Sequence, residues 1–99
     1  MGSRSFISLV LILTTVIGLA QSADPLITEH LDNTPFPTFA KMIRSEYGVE
    51  ILYKNEWVDS LFIYGQINDR LSHVLENAFV DRNLHFFYDG PDRIILTGQ

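Results

Sequence analysis

The sequence predicts an α+β fold: two βαβ motifs, with two helices packed between small β-sheets. Three observations predict it. The chain repeats itself at an offset of 35 residues. Both copies carry apolar residues at helical spacing, and an alternating stretch follows each of them. Phe36, Phe39, Ala40 and Ile43 correspond to Leu71, Val74, Leu75 and Ala78. Both sets fall at i, i+3, i+4 and i+7, one face of an amphipathic helix. The same offset takes Gly48 to Asn83, Val49 to Leu84, Ile51 to Phe86 and Tyr53 to Tyr88. One strand–helix–strand unit of this size cannot cover its own apolar helix face, whereas two bury both helices against their sheets.

The chain begins with a segment of another kind. Arg4 precedes the apolar run Phe6–Leu13, then Thr14, Thr15 and Val16–Leu19. Gly18-Leu19-Ala20 offers small residues at the −3 and −1 positions of a cleavage site before Gln21. Residues 1–20 therefore read as a secretory signal peptide, residues 21–26 as a short linker and residues 27–97 as the domain. Phe6 to Ala20 is shorter than the roughly 20 apolar residues that span a bilayer. No membrane insertion is expected of the mature domain.

Within the domain, Leu26–Leu31 is the first strand candidate. Thr34 is a good helix N-cap, and Pro35 suits the first helical position. The stripe from Phe36 to Ile43 follows, and Gly48 tolerates the left-handed conformation that closes a helix. Val49–Tyr53 then alternates with the period of a strand. The connection Lys54–Ser60 leads into the second copy, whose strand Leu61–Ile67 is the stronger, with β-favouring Phe62, Ile63 and Tyr64 in a row. Asp69 is the matching N-cap, the stripe Leu71–Ala78 the matching helix, and Asn83 the matching stop. Leu84–Tyr88 forms a strand, Asp89-Gly90 and Pro91 a turn, and Arg93–Thr97 a last strand that closes a hairpin.

Composition narrows the function. The net charge is −5, and setting aside Arg4 of the leader makes it −6. A nucleic-acid partner needs clustered Lys and Arg, so none is expected, nor is an anionic membrane surface. Hydrophobic residues make up 46% of the chain, too many for general disorder. There is no cysteine, so an exported domain of this kind must stand on its core alone. That suits a bacterial envelope domain better than an animal extracellular module.

Catalytic signals are missing. His30, His73 and His85 have no metal-ligand spacing and no cysteine to complete a set, so no metal is expected. His73 lies off the helix stripe, and His85 alternates away from the core. Asp69 reads as a cap, while Asp89 and Asp92 read as turn residues. Ser45, Ser60 and Ser72 lie in no nucleophile-elbow sequence, and no glycine-rich phosphate loop is present. Neither an enzyme nor a cofactor is expected. What remains is surface. Trp57, in the connection between the halves, reads as a lid on the core and as a possible partner contact. Phe62 and Tyr64 share one face of their strand while Leu61 and Ile63 share the other. A strand apolar on both faces is central or is covered by a partner.

Taken together, these residues resemble the secretin and TonB short N-terminal domain. The likeness runs through Phe36-x-x-Phe39-Ala40-x-x-Ile43 and Tyr47-Gly48-Val49-x-Ile51-x-Tyr53, then Leu71-x-x-Val74-Leu75-x-x-Ala78-Phe79. It continues through Leu84-x-Phe86-x-Tyr88, Asp89-Gly90 and Ile94-Ile95-Leu96. Two places depart from the family pattern: Pro35 and Pro37 crowd the first helix start, and Asp81-Arg82-Asn83 stands where a Gly-containing turn is usual. The resemblance implies a periplasmic signalling or docking domain of a TonB-dependent outer-membrane receptor, in contact with the periplasmic domain of an anti-sigma regulator. It implies a longer parent receptor that holds the domain at the outer membrane. The alternative it implies is an assembly domain of a secretin channel. Neither role is enzymatic.

Overall fold

The computed structural model describes residues 24–98. The signal-peptide reading of residues 1–20 lies outside them, as does the first half of the linker, residues 21–23. The fold is α+β, with two helices and two small sheets.

Each half runs strand, helix, strand. β1 (Leu26–Pro35) leads directly into α1 (Phe36–Met42), which continues as a wider π-turn over Ile43–Tyr47 before β2 (Glu50–Leu52). A short 3-10 turn, Asn55–Trp57, joins the halves. β3 (Phe62–Arg70) then leads into α2 (Leu71–Phe79), followed by β4 (His85–Tyr88) and β5 (Arg93–Thr97).

The strands that flank each helix join different sheets. β1 pairs with β3 antiparallel as a two-stranded ribbon, while the other sheet has the order β2-β5-β4. In the latter, β2 runs parallel to β5 and β4 antiparallel to it. The halves are therefore interlocked, each sheet drawing on both.

The stripes point where their spacing requires. Phe36, Phe39 and Ile43 are fully buried and Ala40 nearly so, as are Leu71 and Leu75 in the second copy. Ile27, Val49, Ile94 and Leu96 complete the fully buried set. Phe36 is the hub: its ring lies 5.9 Å from Phe39, 5.4 Å edge-on from Tyr53 and 5.9 Å from Phe79. Phe79 in turn meets Phe86 at 6.1 Å, which ties α2 to the three-stranded sheet. Such aromatic pairs add about 0.5–1.5 kcal/mol each beyond area burial. No polar or charged residue is buried among the described residues.

Gly48 closes the first helical segment in the left-handed conformation, at φ 75°. Asn83 is left-handed too, at φ 55°, but corrects the expected stop: α2 ends at Phe79 with Val80 right-handed, and Asn83 closes the turn that follows. The helix starts correct the expectation. The cap positions are Pro35 and Arg70, neither with a side-chain cap bond. Thr34 lies in β1 opposite Ile63, and Asp69 lies in β3 opposite Ile27. The reason is geometric: each strand runs into its helix without a loop, so the cap position falls one residue later than expected, on Pro35 and Arg70, whose side chains offer no oxygen to the helix N–H groups. Pro35 consequently sits outside the first turn, and Pro37 falls within it.

The α2 N-terminus is capped from elsewhere. The Asp24 carboxylate accepts the Ser72 backbone N–H and the Ser72 hydroxyl, each at 2.8 Å. The Leu71 N–H donates to the Pro25 carbonyl at 2.9 Å.

Strand ends also shift. β1 and β3 outrun the expected Leu26–Leu31 and Leu61–Ile67 because the end of each pairs with the start of the other, Thr34 and Pro35 with Ile63 and Phe62, and Asn68 to Arg70 with Thr28 to Leu26. β2 and β4 are shorter than expected, while β5 spans the predicted residues.

Candidate functional site

One face of the β1–β3 ribbon packs on the helices and the other is open. Ile27 and Ile63 point inward and are buried. Residues of the opposite parity point out: Leu26 is 58% exposed, Phe62 41% and Tyr64 72%. The two candidate contacts Phe62 and Tyr64 thus stand two residues apart on one open face. Tyr64 lies opposite a bulge at Asp32 and Asn33, where the register shifts and Asn33 takes φ 56°. A bulge bends its strand and increases the local twist.

The edge of β3 is open as well. Opposed residues of an antiparallel pair alternate between exchanging backbone hydrogen bonds and turning away. Two bonds set the phase: Leu71 N–H to Pro25 O, and Phe36 N–H to Leu61 O, both 2.9 Å. Counting in twos from each end, Ile63, Gly65, Ile67 and Asp69 face β1. Phe62, Tyr64, Gln66 and Asn68 therefore turn their backbone groups away from it. The same count turns Thr28 outward on β1, where its N–H meets the Tyr47 hydroxyl at 3.3 Å. Tyr47 is itself fixed by donating to Glu29 at 2.9 Å, so β1's edge is partly covered. β3 has no second strand beside it among the described residues.

Between β3 and α2 lies a groove of about 780 Å³, lined by Phe62, Tyr64, Ile67, Val74 and Ala78 among others. Arg82 closes one end, donating to the carbonyls of Asp59 and Ser60 at 3.3 and 2.9 Å. At the other end Asp69 accepts from Arg70 N–H at 2.8 Å and lies 2.9 Å from His73 Nδ1. The hydrogen bond to His73, with that to Arg70, holds the Asp69 carboxyl below its usual range, and the same bond raises His73.

Trp57 stands apart from this surface. Half-buried against the core, it lines no part of the groove. Its ring lies 5.3 Å from Lys54 Nζ and so close to Gly98 that a Cβ there would approach within 3.1 Å. That is the geometry of a lid. His30, His73 and His85 are all exposed, and no three potential metal ligands converge among the described residues.

The chain matches no family model, no curated protein and no solved structure.

Two features escaped the sequence reading. One is the clamp in which Asp24 holds Ser72, with the Tyr88 hydroxyl also donating to it at 3.4 Å. No local pattern signals a cap supplied from 48 residues away. The other is the exposure of Leu52 and Phe87 on the three-stranded sheet, 40% and 50%. A signal for it exists: β2, β4 and β5 carry apolar residues at both parities of their alternation.

Proposed function

We propose that the domain is a periplasmic signalling and docking module of a TonB-dependent outer-membrane receptor, acting through contact with an anti-sigma regulator. The chain is exported by its leader and held at the outer membrane through a longer parent chain. The observation that carries the reading is the pair Phe62 and Tyr64, exposed on a ribbon whose β3 edge has no neighbour. Apolar aromatics on an open face are the usual anchors of protein contacts, and a free strand edge beside a groove accepts an extended segment. The resemblance of the repeat to the secretin and TonB short N-terminal domain supplies the compartment and the partner class.

A pull-down of the domain against the periplasmic part of the cognate regulator tests the proposal. Capture is expected, together with loss of ligand-dependent signalling when residues 21–99 are deleted from the parent receptor. Absence of capture with normal signalling after that deletion sinks it. Signalling left intact with secretion lost would favour the secretin assembly role instead.

A further inference from the structure

The groove between β3 and α2 is polarised along its length. Arg82 stands where β3 begins, and the Asp69 carboxylate stands where it ends. Asp69 is tied to the Arg70 N–H and to the exposed His73. Arg82 spends two donors on the carbonyls of Asp59 and Ser60, neutral groups that leave its charge uncompensated. Neither the Asp59 nor the Asp81 carboxylate, nor any other, forms an ion pair with it among the described residues. The remaining N–H groups of such a guanidinium fork match a carboxylate.

The edge between these two ends fixes the shape of what binds. Phe62, Tyr64, Gln66 and Asn68 turn their backbone N–H and C=O groups away from β1, so the matching partner is itself an extended backbone. A strand antiparallel to β3 runs from the Asp69 end to the Arg82 end and finishes there on its carboxyl terminus. A parallel strand would bring its amino-terminal charge to Arg82 instead, cation against cation. Opposed residues of an antiparallel pair share a face. The last residue of the added strand and the third from last therefore stand beside Phe62 and Tyr64. The residue between them turns inward with Ile63, toward Val74 and Ala78 of α2, which line the groove. We propose that this groove binds the free carboxyl terminus of an extended apolar segment by strand addition to β3, with Arg82 holding the α-carboxylate. The proposal rests on the reading of β3 as the docking edge, and it adds the chemical class of what docks there: the C-terminal tail of the partner.

The probe is a hexapeptide of alternating threonine and valine with valine next to last, labelled with fluorescein at its amino end and prepared as free acid and as amide. Fluorescence anisotropy with the full chain recovered after export is expected to saturate for the acid and to be roughly tenfold weaker for the amide, the scale of one lost charged hydrogen bond. Arg82→Gln is expected to remove the difference between acid and amide, while Arg82→Lys keeps part of it. Tyr64→Pro deletes one outward N–H and spares the ladder to β1. It is expected to bind the acid several-fold more weakly than Tyr64→Ser, which loses only the ring. Melting temperatures show that each variant is folded. Equal binding of acid and amide overturns the role of the carboxylate, and folded Tyr64→Pro that binds as well as Tyr64→Ser overturns strand addition. Saturation by neither peptide overturns the proposal, whereas binding of the regulator to the same protein decides the docking reading separately.

Discussion

Asp24 caps a helix that begins far along the chain: its carboxylate binds both the backbone N–H and the hydroxyl of Ser72, each at 2.8 Å. The contact ties the segment ahead of β1 to the start of α2, where free N–H groups and the helix dipole favour a negative charge. Tyr88 of β4 also donates to this carboxylate, so a single side chain joins the N-terminal segment, α2 and the three-stranded sheet. Asp24→Ala is expected to cost about 1 kcal/mol, the usual loss for a removed cap. Asp24→Asn keeps the acceptor and should lose less. Urea denaturation of the three proteins gives the ranking.

The same clamp is readable at Tyr88. Burial, and then the Asp24 charge, push its phenol up from 10.0 to about 12. Removing the charge in Asp24→Asn is expected to lower that value while burial keeps it above 10.0. Absorbance titration of the phenolate measures the shift.

His73 and Asp69 form an exposed pair four residues apart, across the junction of β3 and α2. The His73 pKa is raised above 6.5, chiefly by the hydrogen bond to Asp69. Its contribution is complete below 6.5 and disappears as pH rises through the raised value. The Asp69 pKa is lowered below 3.8, so its contribution is complete above 3.8 and disappears as pH falls through the lowered value. The pair therefore acts between these limits. In Asp69→Asn the His73 ring is expected to titrate closer to 6.5, followed by NMR of its ring protons.

Two left-handed residues 35 apart make the repeat testable. Gly48 and Asn83 occupy equivalent left-handed positions, at φ 75° and 55°. Asn83→Gly is expected to be neutral or mildly stabilising. Gly48→Val places a β-branched residue in that conformation and should cost about 1–2 kcal/mol. Thermal denaturation distinguishes them, and equal effects at both sites would contradict the equivalence.

What the sequence made legible is what local spacing encodes. The stripes at Phe36–Ile43 and Leu71–Ala78 face the core, Gly48 closes its helical segment left-handed, and Arg93–Thr97 pairs with β4 in a hairpin. The unforeseen features are long-range. Nothing in the spacing of Leu26–Leu31 and Val49–Tyr53 says that the strands flanking α1 join different sheets. Thr34 and Asp69 are good caps by type but sit inside strands. Phe62 and Tyr64 were visible as an excess of apolar residues over what one strand face needs. Trp57 reads from the sequence as a lid on the core and as a possible contact, and it packs half-buried against the core.

The core and the contact surface should separate under mutation. Phe36→Ala removes a fully buried ring with three aromatic neighbours and should cost about 3–5 kcal/mol. Tyr64→Ser removes a ring that is 72% exposed and should change stability by less than about 0.5 kcal/mol. Denaturation midpoints of the two variants measure the contrast.

Calorimetric titration of the regulator's periplasmic domain into wild-type protein and into the Phe62→Ser, Tyr64→Ser double variant tests the central claim most directly. The expected result is saturable binding by the wild type and at least tenfold weaker binding by the variant, with an unchanged melting temperature. Equal affinity of the two folded proteins would contradict it.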